Sequence, residues 1–275
     1  MLSYQHSYHA GNFADVVKHW TLTYILDYLN QKEKPWFYLE THAGRGRYNL
    51  RHEASQKNKE YETGILPLWQ NRNTLPAVFS KYMTLLEHYN GDSNTLQHYP
   101  GSPAIAIEHL RKQDRIYACE QHPHEFSRLS LLATHGKGKR VHFARQDGLE
   151  SLKALLPPPE KRGLIFMDPS YELKNDYKNI PAIIKDGYQR FPQGVFCIWY
   201  PLIDKHPWDI FLRKCNAIQA PDTLSAQFYM SAPHTPGMRG CGVWIINPPY
   251  TLKEDMQQFL KSLQTIYKAH EYVIS

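Results

Sequence analysis

Apolar and aromatic residues at Val16, Val17, Trp20, Tyr24, Ile25, Tyr28 and Leu29 recur at helical spacing, which predicts an amphipathic helix from Ala14 to Leu29. The pattern then changes. Trp36 to Leu39 is a short apolar and aromatic run that ends in Glu40 and passes directly into a loop holding Gly44 and Gly46, the strand-then-glycine-loop order of a nucleotide or cofactor site. From Asn49 to Tyr99 helical spacing returns, first at Ile65, Leu66, Leu68 and Trp69, then at Val78, Phe79, Tyr82, Leu85 and Leu86. A small helical insertion over 49–99 follows. Tyr99-Pro100-Gly101-Ser102-Pro103 breaks the chain, and Ala104 to Leu110 predicts a helix returning to the main fold.

Beyond this point strands and helices alternate. Strands are predicted over Arg115 to Glu120, Val141 to Ala144, Gly163 to Met167, Gly194 to Tyr200, Ala226 to Met230 and Gly242 to Asn247. Helices fall over Glu125 to Thr134, Leu149 to Leu156, Asn179 to Phe191, Pro207 to Cys215 and Leu252 to Ile266. Such alternation argues an α/β fold, a mostly parallel sheet with helices on both faces, forming one domain over 1–275 with the insertion at 49–99.

The composition narrows the class without naming a function. With 275 residues, 42% hydrophobic and 21% charged, and with 15 Gly, 19 Pro and 4 Cys, the chain is neither disordered, collagenous nor disulfide-framed. Cys119, Cys197, Cys215 and Cys241 lie far apart with no C-x-x-C, which predicts buried reduced thiols and a cytoplasmic location. The N-terminus lacks a signal peptide's basic start and apolar run, and no stretch approaches the roughly 20 apolar residues needed to span a bilayer. A soluble monomer without a membrane partner is expected. The 32 Lys+Arg against 26 Asp+Glu give +6, which suits a polyanion such as nucleic acid without requiring one.

In open α/β sheets ligands bind beyond the carboxyl ends of the strands, and four candidates sit there. Glu40-Thr41-His42-Ala43-Gly44-Arg45-Gly46 is a glycine loop, though neither a P-loop nor the dinucleotide G-x-G-x-x-G; a structural βα turn would read the same. Glu120 can accept both hydrogen bonds of a ribose diol, or be a solvated strand-end acid. Asp147 is placed to bond an adenine amino group, or to start an Asp-Gly turn. Asp168-Pro169-Ser170-Tyr171 follows a buried strand and is the most informative. The Asp168 carboxylate and a backbone carbonyl can accept two hydrogen bonds from an exocyclic amine, while Tyr171 offers a stacking face. Lys18, Arg45, Arg47, Lys57, Lys59, Lys137, Lys139 and Arg140 are candidate phosphate contacts, or solvated faces. His6 with His9, or His122 with His124, could share a metal, but no Cys or carboxylate cluster completes a tetrahedral set, so none is expected.

The order of these motifs resembles S-adenosylmethionine-dependent amino-methyltransferases, whose signature is Asp, Asn or Ser, then Pro-Pro, then an aromatic. Met1-Leu2-Ser3-Tyr4, His6-Ser7, His9-Ala10-Gly11-Asn12, Ala14-Asp15-Val16 and Lys18-His19 resemble the N-terminus of the bacterial large-subunit ribosomal RNA adenine-N6 methyltransferase J (RlmJ) family. Thr41-His42-Ala43-Gly44, Gly46-Arg47-Tyr48, Tyr99-Pro100-Gly101-Ser102-Pro103, Gly163-Leu164-Ile165, Trp199-Tyr200-Pro201 and Asn247-Pro248-Pro249 extend the similarity over the whole chain. The resemblance implies a Rossmann-like methyltransferase fold with a seven-stranded sheet and an inserted helical subdomain, and N6-methylation of a flipped adenine in 23S ribosomal RNA. It further implies that His19, His42, Ser102, Glu120, Asp147, Gly148 and Asp168 contact S-adenosylmethionine, that Asp168 with Pro169 and Tyr171 forms the catalytic motif, and that Tyr4 contacts the RNA beside Lys18.

One departure is Ser170, where the family has a second proline; Asp168, the Pro169 carbonyl and Tyr171 remain, so activity is expected to survive. Asn247-Pro248-Pro249-Tyr250 matches the signature more literally. It lies beyond two further strands, whereas the catalytic motif should end the fourth strand, so it is expected to be a turn. The family's earlier description, use of external DNA as a nutrient, supplies the alternative: a DNA-binding or DNA-processing protein without methyltransferase activity.

Overall fold

Asn12 starts the first helix by accepting the Asp15 amide on its side-chain oxygen, and α1 (Phe13–Asn30) then runs for 18 residues with nearly all of its faces buried. The computed structural model describes residues 6–91, 93–134, 140–171, 176–203, 208–232 and 237–275. After α1, β1 (Phe37–Glu40) is buried at every position, and a hairpin-like ribbon of β2 (Arg47–Asn49) and β3 (His98–Pro100) closes the base of the insertion. Within the insertion lie α2 (Glu53–Asn58), α3 (Ile65–Gln70) and α4 (Ser80–Asn90). Then come α5 (Ser102–His109), β4 (Arg115–Cys119), α6 (Pro123–Leu129), β5 (Val141–Ala144), α7 (Gly148–Leu155), β6 (Gly163–Met167), α8 (Asp176–Arg190), β7 (Val195–Ile203) and α9 (Trp208–Asn216). The chain closes with β8 (Thr223–Tyr229), β9 (Met238–Ile246), α10 (Leu252–Tyr267) and β10 (Glu271–Ile274).

The strands form one sheet in the order β10-β8-β9-β7-β6-β1-β4-β5. β5, β4, β1, β6 and β7 pair in parallel, whereas β9 is antiparallel to both β7 and β8. Strand progression moves outward from β1 through β4 to β5 and then resumes on the other side at β6, so the switch point lies between β1 and β6. The sheet has eight strands rather than the seven expected. The extra one, β10, pairs antiparallel with β8 at the edge; with four residues and half-exposed alternation it is too short to register as a periodic signal. The expected helix from Glu125 to Thr134 ends at Leu129 and continues only as a tighter 3-10 turn over Ser130–Thr134.

Alternate residues of β1 separate the two faces. Tyr38 joins Trp20, Ile25 and Phe166 on one side, while Phe37 and Leu39 join Ile165, Ile184 and Phe196 on the other. The insertion has no core of its own. Leu68, Trp69, Phe79 and Tyr82 belong to the same apolar cluster as α1, and Phe259 of α10 stacks on Trp20 at 4.0 Å and meets Phe79 at 5.1 Å. All four cysteines are buried and unbridged. No helix among the described residues is long and apolar enough to cross a membrane.

Gly163 opens β6 opposite Phe37, and a Cβ there would stand 2.0 Å from the Phe37 carbonyl oxygen. Gly163→Ala must therefore push β6 away from β1, and a destabilisation of about 1–3 kcal/mol is expected from such overpacking. Urea unfolding of the two proteins measures it.

Candidate functional site

The carboxyl ends of β1, β4, β5 and β6 surround a cavity of about 240 Å³ at the switch point. Its floor is the chain leaving β1: the Thr41 amide donates to the Phe166 carbonyl at 3.1 Å and the Ala43 amide to the Cys119 carbonyl at 2.9 Å, so the loop is pinned between β6 and β4. Gly44 and Gly46 take φ of +61° and +78°, the left-handed backbone that the turn requires. Glu120 locks the loop from the end of β4, its two carboxylate oxygens accepting the Gly44 and His122 amides at 2.7 Å each. Burial raises its pKa against the pull of those two amides.

His19, His42, Ser102, Glu120, Asp147, Gly148, Asp168 and Pro169 all line this cavity, although they come from separate parts of the chain. Asp147 lines the cavity while its Oδ1 caps α7 by accepting the Leu149 amide at 2.8 Å, which is the local turn its Asp-Gly sequence predicts. Gly148 lets α7 approach β1, since a Cβ would lie 2.1 Å from the Thr41 carbonyl oxygen. Buried His19 has Nδ1 2.8 Å from the Tyr99 hydroxyl, which contacts the Tyr82 hydroxyl at 2.9 Å. His42 Nδ1 lies 2.8 Å from Thr41 Oγ1. Burial holds both histidines below the usual imidazole range, so both are neutral hydrogen-bonding groups at neutral pH.

Three expectations change. Lys18 is not a phosphate contact at the pocket mouth: it is only 4% exposed, and its Nζ lies 2.5 Å from Asp168 Oδ2 and 2.8 Å from Asp15 Oδ1. Burial alone would lower its pKa, but the two carboxylates hold it above the usual lysine range. Tyr171 offers no stacking face. Its left-handed backbone, φ +52°, turns the ring inward, where it is 3% exposed, packs on Tyr177 and Phe211, and donates its hydroxyl to the Trp199 carbonyl at 2.9 Å. Arg45 pairs through both its Nε and Nη2 with buried Glu125 on the cavity wall. Tyr4, Lys137 and Lys139 lie outside the described residues.

The later Pro-Pro copy sits at the wrong end of the sheet. β9 runs antiparallel to β7, with Ile246 opposite Phe196, so Asn247 emerges where the parallel strands begin. There its side-chain amide donates to the Pro192 and Gly194 carbonyls at 2.8 Å each and stitches a turn. Among the described residues no group of three or more His, Cys, Asp or Glu could hold a metal ion.

Sequence reasoning gave no role to Asp15, which organises the N-terminal side of the cavity. Besides Lys18 it accepts the Gly11 amide and contacts His6 Nε2, both at 2.8 Å. Burial would raise its pKa, but the contact with His6 and the Lys18 ammonium hold it well below the carboxylate range. The readable signal was an Asp and a Lys three apart on a helix with apolar residues on every side, where an ion pair has to be buried.

A family model described as "Ribosomal RNA large subunit methyltransferase D, RlmJ" matches residues 33–271. Two proteins named ribosomal RNA large subunit methyltransferase J are similar to the chain. The one from Escherichia coli K12 is 39% identical over 96% of this chain and 94% of its own. Its Haemophilus influenzae counterpart is 40% identical over 96% of this chain and 93% of its own. A crystal structure of a Legionella pneumophila protein superposes with a TM-score of 0.90 at 46% identity, covering 97% of this chain and 98% of that one.

Beneath the floor, Glu40 is fully buried at the end of β1, and burial lifts its pKa from 4.5 to about 8 despite the nearby Ser102 and Tyr38 hydroxyls. The folded protein therefore keeps a proton that the unfolded chain releases above the ordinary carboxyl range. Stability should fall as pH rises between about 4.5 and 8 and level off above. Urea midpoints recorded across that window should decline for the native protein and stay flatter for Glu40→Gln.

Proposed function

The chain belongs to the RlmJ family of ribosomal RNA large subunit methyltransferases, and from that premise we propose that it methylates N6 of an adenine in 23S ribosomal RNA, with S-adenosylmethionine as donor. The observation that carries this reading is the meeting of Asp168 and Pro169 with the glycine loop, Glu120 and Asp147 around one cavity at the switch point. The donor and acceptor set fits the cofactor. Glu120 suits a ribose diol, Asp147 an adenine amino group, and Ser102 with neutral His19 and His42 the carboxylate of an amino acid. When bound, S-adenosylmethionine supplies an electrophilic methyl group on a sulfonium that is a good leaving group.

The chain's own residues then orient the nucleophile. The adenine amine has its lone pair delocalised into the ring and is a poor nucleophile until its two hydrogens are held by acceptors. Asp168 and the Pro169 carbonyl provide them; Lys18 occupies Oδ2 of Asp168, which leaves Oδ1 as the acceptor for the amine. Most of the rate comes from this positioning rather than from strong base catalysis, because the amine becomes acidic once methylated and its proton then passes to Asp168 or to water. Ser170 is exposed, and Asp168 and Pro169 reach the cavity without a second proline ring. Exposed Arg128 and Arg145 flank the ends of α6 and β5 and offer phosphate contacts that Lys18 and Arg45 do not. The DNA-processing alternative draws no support from the relatives or from the site.

Asp168→Ala should abolish N6-methyladenosine formation in unmodified 23S ribosomal RNA incubated with labelled S-adenosylmethionine. Cofactor binding by calorimetry should remain measurable. Turnover retained by the variant would mean that Asp168 is not the acceptor that holds the amine.

A further inference from the structure

The segment from Ser7 to Asn12, which leads into the helix bearing Asp15, Lys18 and His19, is gripped by the helical insertion at four points. Ser55 Oγ donates to the Ser7 carbonyl at 3.1 Å, and the Ile65 amide donates to the Gly11 carbonyl at 2.9 Å. Gly64 allows that approach, because a Cβ would stand 2.1 Å from the Gly11 oxygen. The other two points converge on one residue. Glu60 Oε1 lies 2.7 Å from His9 Nδ1, and Glu60 Oε2 accepts the Asn12 side-chain amide at 3.0 Å.

Asn12 is where this grip meets the catalytic motif. Held by Glu60 through its nitrogen, it uses its oxygen to accept the Asp15 amide at 2.9 Å and start α1. Asp15 fixes Lys18, and Lys18 holds Asp168. A continuous line of polar contacts therefore runs from the insertion, through the helix cap, to the carboxylate at the end of β6. We propose that Glu60 is a positioning residue for Asp168, so that the insertion sets the aim of the acceptor that holds the target amine. This rests on the methyltransferase reading of the site. Glu60 is not among the residues lining the cavity; without it the Asn12 amide is free to turn, the cap loosens, and the first turn of α1, which carries Asp15, shifts against Lys18.

The test is steady-state methylation of unmodified 23S ribosomal RNA by the full chain. Glu60→Ala should lower kcat on the order of tenfold, the scale of loss expected when a reacting group is misplaced by a fraction of an ångström, with cofactor affinity by calorimetry retained. Glu60→Gln, which can still accept from Asn12, should restore most of kcat. Asn12→Ser keeps a capping oxygen for Asp15 but loses the amide to Glu60; it should reproduce the loss, and the double variant should be no worse than the poorer single one. Should Glu60→Ala melt below the assay temperature, Asn12→Ser and Glu60→Gln carry the same reading. An undiminished kcat, an effect confined to KM for RNA, no restoration by Gln, or additive losses in the double variant would overturn the proposal. Absence of turnover by the native protein would instead overturn the methyltransferase reading, and this one with it.

Discussion

The arrangement of the site depends on one buried ammonium. Lys18 lies in the first helix, Asp168 at the end of the sixth strand, 150 residues later, and their contact joins the N-terminal segment to the Asp168-Pro169 turn. A lysine 4% exposed must be matched by nearby charge, because the cost of dehydrating an unpaired ammonium is several kcal/mol. Asp15 alone could neutralise it. The second carboxylate makes the lysine a bridge rather than a pair, and the bridge has to be satisfied at both ends. Both carboxylates bind the same ammonium, so the Asp168-Pro169 turn and α1 are tied together through it.

Around that bridge the backbone is drawn unusually close. Gly148 permits the start of α7 to lie against Thr41, and Gly163 permits β6 to lie against Phe37. The approach at Gly148 lies at the carboxyl ends, beside the cavity, whereas Gly163 pins β6 to β1 at their amino ends. Glu120 acts from the other side by taking two loop amides onto its carboxylate. Rigid elements thus pin the loops that line the cavity.

What could be read from the residues divides along a physical line. Strand-end positions were legible, because a buried apolar run such as Gly163 to Met167 fixes where the strand stops, and the next polar residue must then sit at the sheet's rim. Glu120, Asp147 and Asp168 were placed in this way, and the parallel core of the sheet follows from the same runs. Side-chain direction was not legible. Tyr171 points inward because one residue adopts a positive φ, and Lys18 points inward because its partners come from elsewhere in the sequence. The first has no local signature, and the second shows locally only as the Asp15–Lys18 spacing on an all-round apolar helix, which does not reveal Asp168. β10 and the β2–β3 ribbon escaped for another reason: strands of three or four residues carry too few alternations to differ from a loop.

Charge balance connects these parts to the chemistry. Lys18, Asp15 and Asp168 together sum to one negative charge beside the cavity, and His19 and His42 add no positive charge because burial keeps them neutral. Glu40 lies close enough to feel Asp168, and its raised pKa keeps it protonated near neutral pH, so it does not add a second negative charge. The Lys18 cluster therefore carries one net negative charge beside Asp168, and Glu120 and Asp147 line the same cavity as further acids. Acidic surroundings of this kind favour a cationic ligand. Attraction of a cation does not by itself lower the barrier to the proposed methyl transfer, because an interaction equally strong before and after the charge moves stabilises ground and transition states alike.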